Sequence, residues 1–167
     1  MRPLIGWRER VDLPDLGVFG LKAKIDTGAR TSALHVENVA EFTGPDGAPW
    51  LRFDIPIGNG GGAPQMVNCE VPSGGVRRVK SSTGHLQRRR SIRTHLRIGD
   101  YEVEIDITLA DRNAMLHPML LGRTALRNHF LINPGRSFLL SDRETATRTA
   151  APPQRRHRNA GGTGDSQ

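Results

Sequence analysis

Apolar residues in this chain come in short runs, mostly alternating with polar ones and separated by turn residues. The run Tyr101-Glu102-Val103-Glu104-Ile105-Asp106-Ile107 keeps the two-residue period of a strand buried on one face. Comparable runs predict strands at Leu4–Val11, Leu21–Ile25, Thr31–Phe42 (bent or broken within its length), Leu51–Ile57, Met66–Val71, Val76–Lys80, Ser91–Ile98, Tyr101–Leu109 and Ser137–Leu140. Gly99-Asp100, between two alternating runs, predicts a tight hairpin. Gly58 to Pro64 is rich in glycine and predicts a loop, and only Arg123–His129 has a short helical pattern. Many short strands with Gly- and Pro-rich turns imply an all-β barrel or sandwich. No segment repeats another.

The strand pattern stops near residue 142. From Arg143 to Gln167 large apolar residues are scarce, and Pro152-Pro153, Arg155-Arg156-His157-Arg158 and a glycine-rich run take their place. Such a segment buries too little apolar surface to offset its ordering entropy, so it reads as a disordered basic tail behind a single domain over residues 1–142. The whole chain, at 167 residues, suits one core.

Charge and cysteine narrow the setting. The net charge of +7 favours acidic partners. Cys69 is the single cysteine, so no intrachain disulfide can form, and its place in Met66–Val71 suits a buried apolar role better than a nucleophile. The N-terminal residues soon turn charged, and no apolar run approaches bilayer length; a cytoplasmic protein with no membrane partner is the expectation.

The segment with chemical content is Leu21-Lys22-Ala23-Lys24-Ile25-Asp26-Thr27-Gly28-Ala29-Arg30-Thr31-Ser32-Ala33-Leu34. An alternating strand delivers a carboxylate to a glycine-containing turn, where backbone amides and the Thr27 hydroxyl can hold it. Further on, Met119-Leu120-Leu121-Gly122-Arg123-Thr124-Ala125-Leu126 runs from an apolar strand into Gly-Arg and a helical turn. The two motifs occur in this order in aspartic peptidases. Together with Ile5-Gly6-Trp7-Arg8-Glu9, Ser82-Thr83-Gly84-His85, Ile92-Arg93-Thr94 and Asn133-Pro134-Gly135-Arg136-Ser137-Phe138 they make the chain resemble the retropepsin-like peptidases, and within them the RimB-type proteins, over about residues 4–140.

The resemblance implies an acid-protease barrel with one short C-terminal helix, acting as a homodimer. Two carboxylates must share a proton in that chemistry; aspartic proteases are the standard worked case for it. Asp26 is the sole aspartate in an Asp-Thr-Gly. Asp15-Leu16-Gly17 and Asp46-Gly47 lie in turns without flanking core strands. The dyad would therefore join Asp26 of two subunits, with Thr27 bonding across the axis and Gly28 permitting close approach. A flap hairpin is implied at about Val76–Arg90, with its tip at Ser81 to His85. Lys80, Ser82, Thr83, Gly84, His85 and Arg88 are its candidate substrate contacts. Ala29 and Arg30 follow the catalytic turn, and Arg30 stands where these peptidases usually carry an acid that pairs with the arginine equivalent to Arg123. Arg30 and Arg123 are thus candidates to bind substrate carboxylates. The family is linked to glutamate tails added to a small-subunit ribosomal protein by the ligase RimK, so a glutamylated ribosomal protein or acidic peptide is the implied partner. Ribosome association fits the charge.

Two rival readings compete with this one. The family's older label calls it an ATP-dependent zinc protease, yet His35, His85, His95, His117, His129 and His157 form no His-Glu-x-x-His, and no Gly-Lys offers a P-loop. Neither metal nor cofactor is implied. A basic module that binds RNA or the ribosome without catalysis is allowed by the charge, but one Tyr, two Trp and five Phe make no evident stacking platform.

Overall fold

A computed structural model describes residues 1–58, 62–80, 83–110 and 117–149. Strands dominate: β1 (Leu4–Gly6), β2 (Arg8–Leu13), β3 (Val18–Ile25), β4 (Ser32–His35), β5 (Glu37–Thr43), β6 (Pro49–Ile57), β7 (Gln65–Pro72), β8 (Val76–Lys80), β9 (Leu86–Ile98) and β10 (Tyr101–Ala110) precede β11 (Met119–Leu121), helix α1 (Arg123–Leu126), β12 (Leu131–Asn133) and β13 (Arg148–Thr149). Six of them close a barrel in the order β10-β4-β11-β3-β2-β9, with β9 pairing back onto β10. This is the all-β barrel that the sequence predicts, with its one short helix.

Alternation explains the core. In β2 the residues Glu9, Val11 and Leu13 point inward and Arg8, Arg10 and Asp12 outward. Ile5, Leu21, Leu34, Phe53, Ile92, Leu96, Ile107 and Met119 are wholly or almost wholly buried. A separate antiparallel sheet, β5-β6-β7, covers one flank, and its Leu51, Phe53, Ile55 and Cys69 join the same core. Burial pushes the Cys69 thiol up to about 11, with Asp54 adding to the rise, which makes it a packing residue and a poor nucleophile. No helix among the described residues is long and apolar enough to cross a membrane.

Four local expectations change. The Leu4–Val11 run breaks at Trp7, whose N–H donates to the Arg136 carbonyl (2.8 Å) while its own carbonyl accepts from the Ile25 N–H (2.8 Å). Helix α1 ends at Leu126 instead of His129, with Asn128 at a positive φ of 66° just beyond it, and the chain resumes as β12, parallel to β1. Ser137–Leu140 is not a strand: Phe138 has φ 54°, which interrupts an extended run. The backbone is gripped there by a side chain, because Glu9 accepts from the Leu140 N–H (2.6 Å) and the Ser141 N–H (3.3 Å). Finally, residues 143–149 pack on the barrel. Arg148 and Thr149 pair with Phe19 and Val18, and the Thr147 hydroxyl donates to the Gly20 carbonyl at 3.0 Å. The ordered domain therefore runs past residue 142; the rest of the predicted tail, 150–167, lies outside the described residues.

Glu9 has no exposed surface and, among the described residues, no cation within ion-pair distance. Burial raises its carboxyl above the ordinary glutamate value, against the opposing effect of its hydrogen bonds from Leu140 and Ser141. A raised acid contributes stability fully below its unfolded value, and that contribution is lost as pH rises through the folded value. Glu9→Gln keeps the acceptor and removes the titration. The urea midpoint of the variant is expected to gain on wild type as pH is raised from 4 to 7; a constant difference would contradict this.

Candidate active site

Strand β3 carries Asp26 to the end of the barrel wall, and β11 holds it there. Although β3 and β4 follow one another in the chain, they do not pair; β11 threads between them, parallel to β3 and antiparallel to β4. The Asp26 N–H donates to the Leu121 carbonyl at 2.9 Å. Its Oδ1 accepts from the Gly28 N–H at 3.0 Å, and its carbonyl accepts from the Ala29 N–H at 3.2 Å. The carboxylate is thus oriented by its own turn, and the side chain is half-buried.

Gly122 makes the crossing possible. A Cβ there would lie 2.6 Å from the carbonyl carbon and oxygen of Thr31 and 2.9 Å from the carbonyl carbon of Arg30. Its N–H donates to the Ser32 hydroxyl (3.1 Å), while the Arg123 and Thr124 N–H groups donate to the carbonyls of Ala29 (2.8 Å) and Arg30 (3.0 Å). Ser32 is a positioning residue that sequence reasoning missed. A lone hydroxyl on the inward side of an apolar strand was the available signal.

The candidate substrate contacts divide by element. Thr27 and Gly28 are exposed at the tip of the turn and Ala29 is half-buried. Arg123 donates from Nη1 to the Thr27 carbonyl at 3.0 Å, which replaces the missing carboxylate partner by a backbone clamp. Arg30 is exposed and has no ion-pair partner among the described residues. A hairpin lies where the sequence puts the flap: β8 pairs with the first part of β9, and Gly84 near its tip has φ 85°. Lys80, Thr83, His85 and Arg88 are exposed on it; Ser82 lies outside the described residues. In this ladder Arg77 stands opposite Arg89 and Arg78 opposite Arg88. Two like-charged pairs in succession are unfavourable, and no acid lies in either arm. At the base, Arg90 makes an ion pair with Glu41 of β5.

Other histidines are placed away from the turn or beside it. His35 lies in β4, 3.9 Å from Glu37. His95 donates its backbone N–H to Asp15 at 3.0 Å, which lowers the Asp15 carboxyl, and its ring bonds the same carboxylate at 2.7 Å, which raises the imidazole. Among the described residues no three of His, Cys, Asp and Glu come together as a metal site.

Comparisons bear on this geometry. The model of the family described as retropepsin-like aspartic endopeptidase RimB matches residues 4–143. A protein of Shewanella halifaxensis named "Probable alpha-L-glutamate ligase" is 38% identical over 138 residues, covering 82% of this chain and 30% of that protein. One of the same name from Parasynechococcus marenigrum is 35% identical over 158 residues, covering 93% and 33%. The chain thus spans about a third of the length of the curated relatives it matches. A crystal structure of a Legionella pneumophila protein of unknown function aligns with a TM-score of 0.69 at 27% identity, over 84% of this chain and 100% of that one.

Proposed function

Since the chain belongs to the RimB-like family of retropepsin-like aspartic endopeptidases, we propose that it is a peptidase whose dyad is formed by Asp26 of two subunits and whose substrates are acidic, glutamate-tailed proteins. The observation that carries the reading is the fixed Asp26 turn, with Gly28 on its Oδ1 and β11 threaded beneath it. One turn supplies one carboxylate, and the chemistry needs two, so a two-fold pairing of the turns completes it. The unprotonated aspartate takes a proton from water as the oxygen attacks the scissile carbonyl. The protonated one gives its proton to the carbonyl oxygen. Collapse of the tetrahedral adduct then breaks the C–N bond: the first aspartate's proton goes to the leaving amine, and the second aspartate takes a proton back from a hydroxyl of the adduct, so the dyad again holds one shared proton.

Three features support the substrate class. The hairpin opposes arginine to arginine, and an anion bound across such a pair on one face relieves that repulsion. Arg30 is exposed beside the turn, with no carboxylate in ion-pair distance among the described residues. Relatives containing a segment like this chain are named as glutamate ligases, which fits a shared glutamate-bearing substrate such as a RimK-modified ribosomal protein.

The test is cleavage of a peptide ending in several glutamates, beside its glutamine counterpart, with a chelator present throughout. Wild type is expected to cut the glutamate peptide in preference. Arg30→Glu is expected to lower that preference about tenfold, the size of one charge-assisted contact. Arrest by the chelator, or the same preference in Arg30→Glu, would contradict the proposal.

A further inference from the structure

The strand that delivers Asp26 carries more charge than the catalytic turn uses. Along β3 the residues Lys22 and Lys24 alternate with buried Ala23 and Ile25 and point to the outer face, in line with Asp26. Arg8 of β2 stands directly opposite Lys24. Its neighbour Trp7 is bonded to Ile25, so Arg8 is fixed beside the root of the catalytic turn. The Arg8 guanidinium is held between two rings, 4.6 Å from the centre of Trp7 and 5.1 Å from that of Phe138. Its Nε is buried with no hydrogen-bond partner among the described residues.

No carboxylate lies within ion-pair distance of Arg8, Lys22 or Lys24 among the described residues. Arg10, opposite Lys22, shares an unpartnered Nε, yet its guanidinium donates to the Gly20 carbonyl at 3.1 Å and to the Arg143 carbonyl at 3.4 Å, and so belongs to the scaffold. The local field registers on His117, which stands edge-on to Trp7 at 6.0 Å. Burial, then the charges of Lys24, Arg8 and Lys22, hold its imidazole below the ordinary value. Half-buried Leu120 of β11, paired with Lys24, supplies apolar surface beside these cations.

We propose that Arg8 and Lys24 form a carboxylate-binding subsite next to Asp26, and that Lys22 continues it for a second acidic side chain of the same extended substrate. This rests on the reading of the chain as a peptidase for acidic substrates and adds to it the residues that recognise acids nearest the cut bond. Spacing supports it. Alternate residues of an extended chain are about 7 Å apart, so Lys24 and Lys22 match alternate side chains of a strand-like substrate. Directly opposed residues are about 5 Å apart, so Arg8 and Lys24 can grip one carboxylate between them. Arg8, stiffened between its rings, loses little freedom in doing so.

The experiment separates binding from cutting. Binding of a fluorescent hexaglutamate peptide is measured by anisotropy in the Asp26→Asn background, with Lys24→Gln, Lys24→Glu and Arg127→Glu added singly. Folding of each is checked by circular dichroism. Lys24→Gln is expected to weaken binding about tenfold and Lys24→Glu more, while Arg127→Glu, the same charge change as Lys24→Glu at an exposed site just after α1, changes it less than about twofold. In the Asp26-containing enzyme Lys24→Glu is expected to raise KM for the glutamate peptide and to lower the ratio of kcat/KM for glutamate over glutamine peptides. Equal losses for Lys24→Glu and Arg127→Glu overturn the subsite. An oligonucleotide that binds as tightly as hexaglutamate with the same Lys24 dependence overturns its assignment to acidic peptide. Lys24-dependent binding without any cleavage by wild type leaves the subsite standing and removes the peptidase reading.

Discussion

Asp26→Asn is expected to bind a glutamate-tailed peptide and to cut it at least about a thousandfold more slowly than wild type. An amide neither takes a proton from water nor shares one with its counterpart, so both roles of the dyad vanish together. The substitution is nearly isosteric, and the oxygen that accepts from the Gly28 N–H can remain, so the turn is expected to keep its form. Unchanged thermal unfolding with lost cleavage is the result that assigns the loss to chemistry. Retained cleavage would remove Asp26 from the catalytic apparatus.

The second large effect is at Gly122. An alanine there would drive its Cβ into the backbone of Thr31 and Arg30, at 2.6 and 2.9 Å. Neither is the far end of a flexible side chain, so the crossing of β11 beneath the catalytic turn has to shift. The expected cost is about 3 kcal/mol of stability, read as a lower urea midpoint. The hydrogen bonds from Gly122 to Ser32 and from Arg123 to Ala29 shift with it, so activity is expected to fall in the fraction that stays folded. An alanine variant as stable and active as wild type would contradict the threaded geometry.

Much of this arrangement is legible in the chain because period-two alternation is local. Tyr101–Ile107, the Gly99-Asp100 hairpin and the flap arms follow from it directly. The Asp26 turn is legible as a candidate site through the pairing of two motifs, where either alone would be an ordinary turn. What alternation hides is whatever long-range contacts decide. Ser137–Leu140 alternates plausibly, yet Glu9, over a hundred residues earlier, holds its backbone in place of a neighbouring strand. β13 contains only Arg148 and Thr149, and Phe19 and Val18 give it partners that composition cannot foresee. The cations beside Asp26 show the same limit. Lys22 and Lys24 share its parity in the sequence, whereas the place of Arg8 depends on the β2–β3 register.

The central claim is that one active site takes an aspartate from each of two chains, and mixing tests it most directly. Equal amounts of wild type and Asp26→Asn are combined at constant total protein, allowed to exchange subunits, and assayed on the glutamate-tailed peptide. Random pairing leaves about a quarter of the dimers with two aspartates, so activity is predicted to settle near a quarter of the pure wild-type value. Activity near one half, with each chain working alone, would contradict the account.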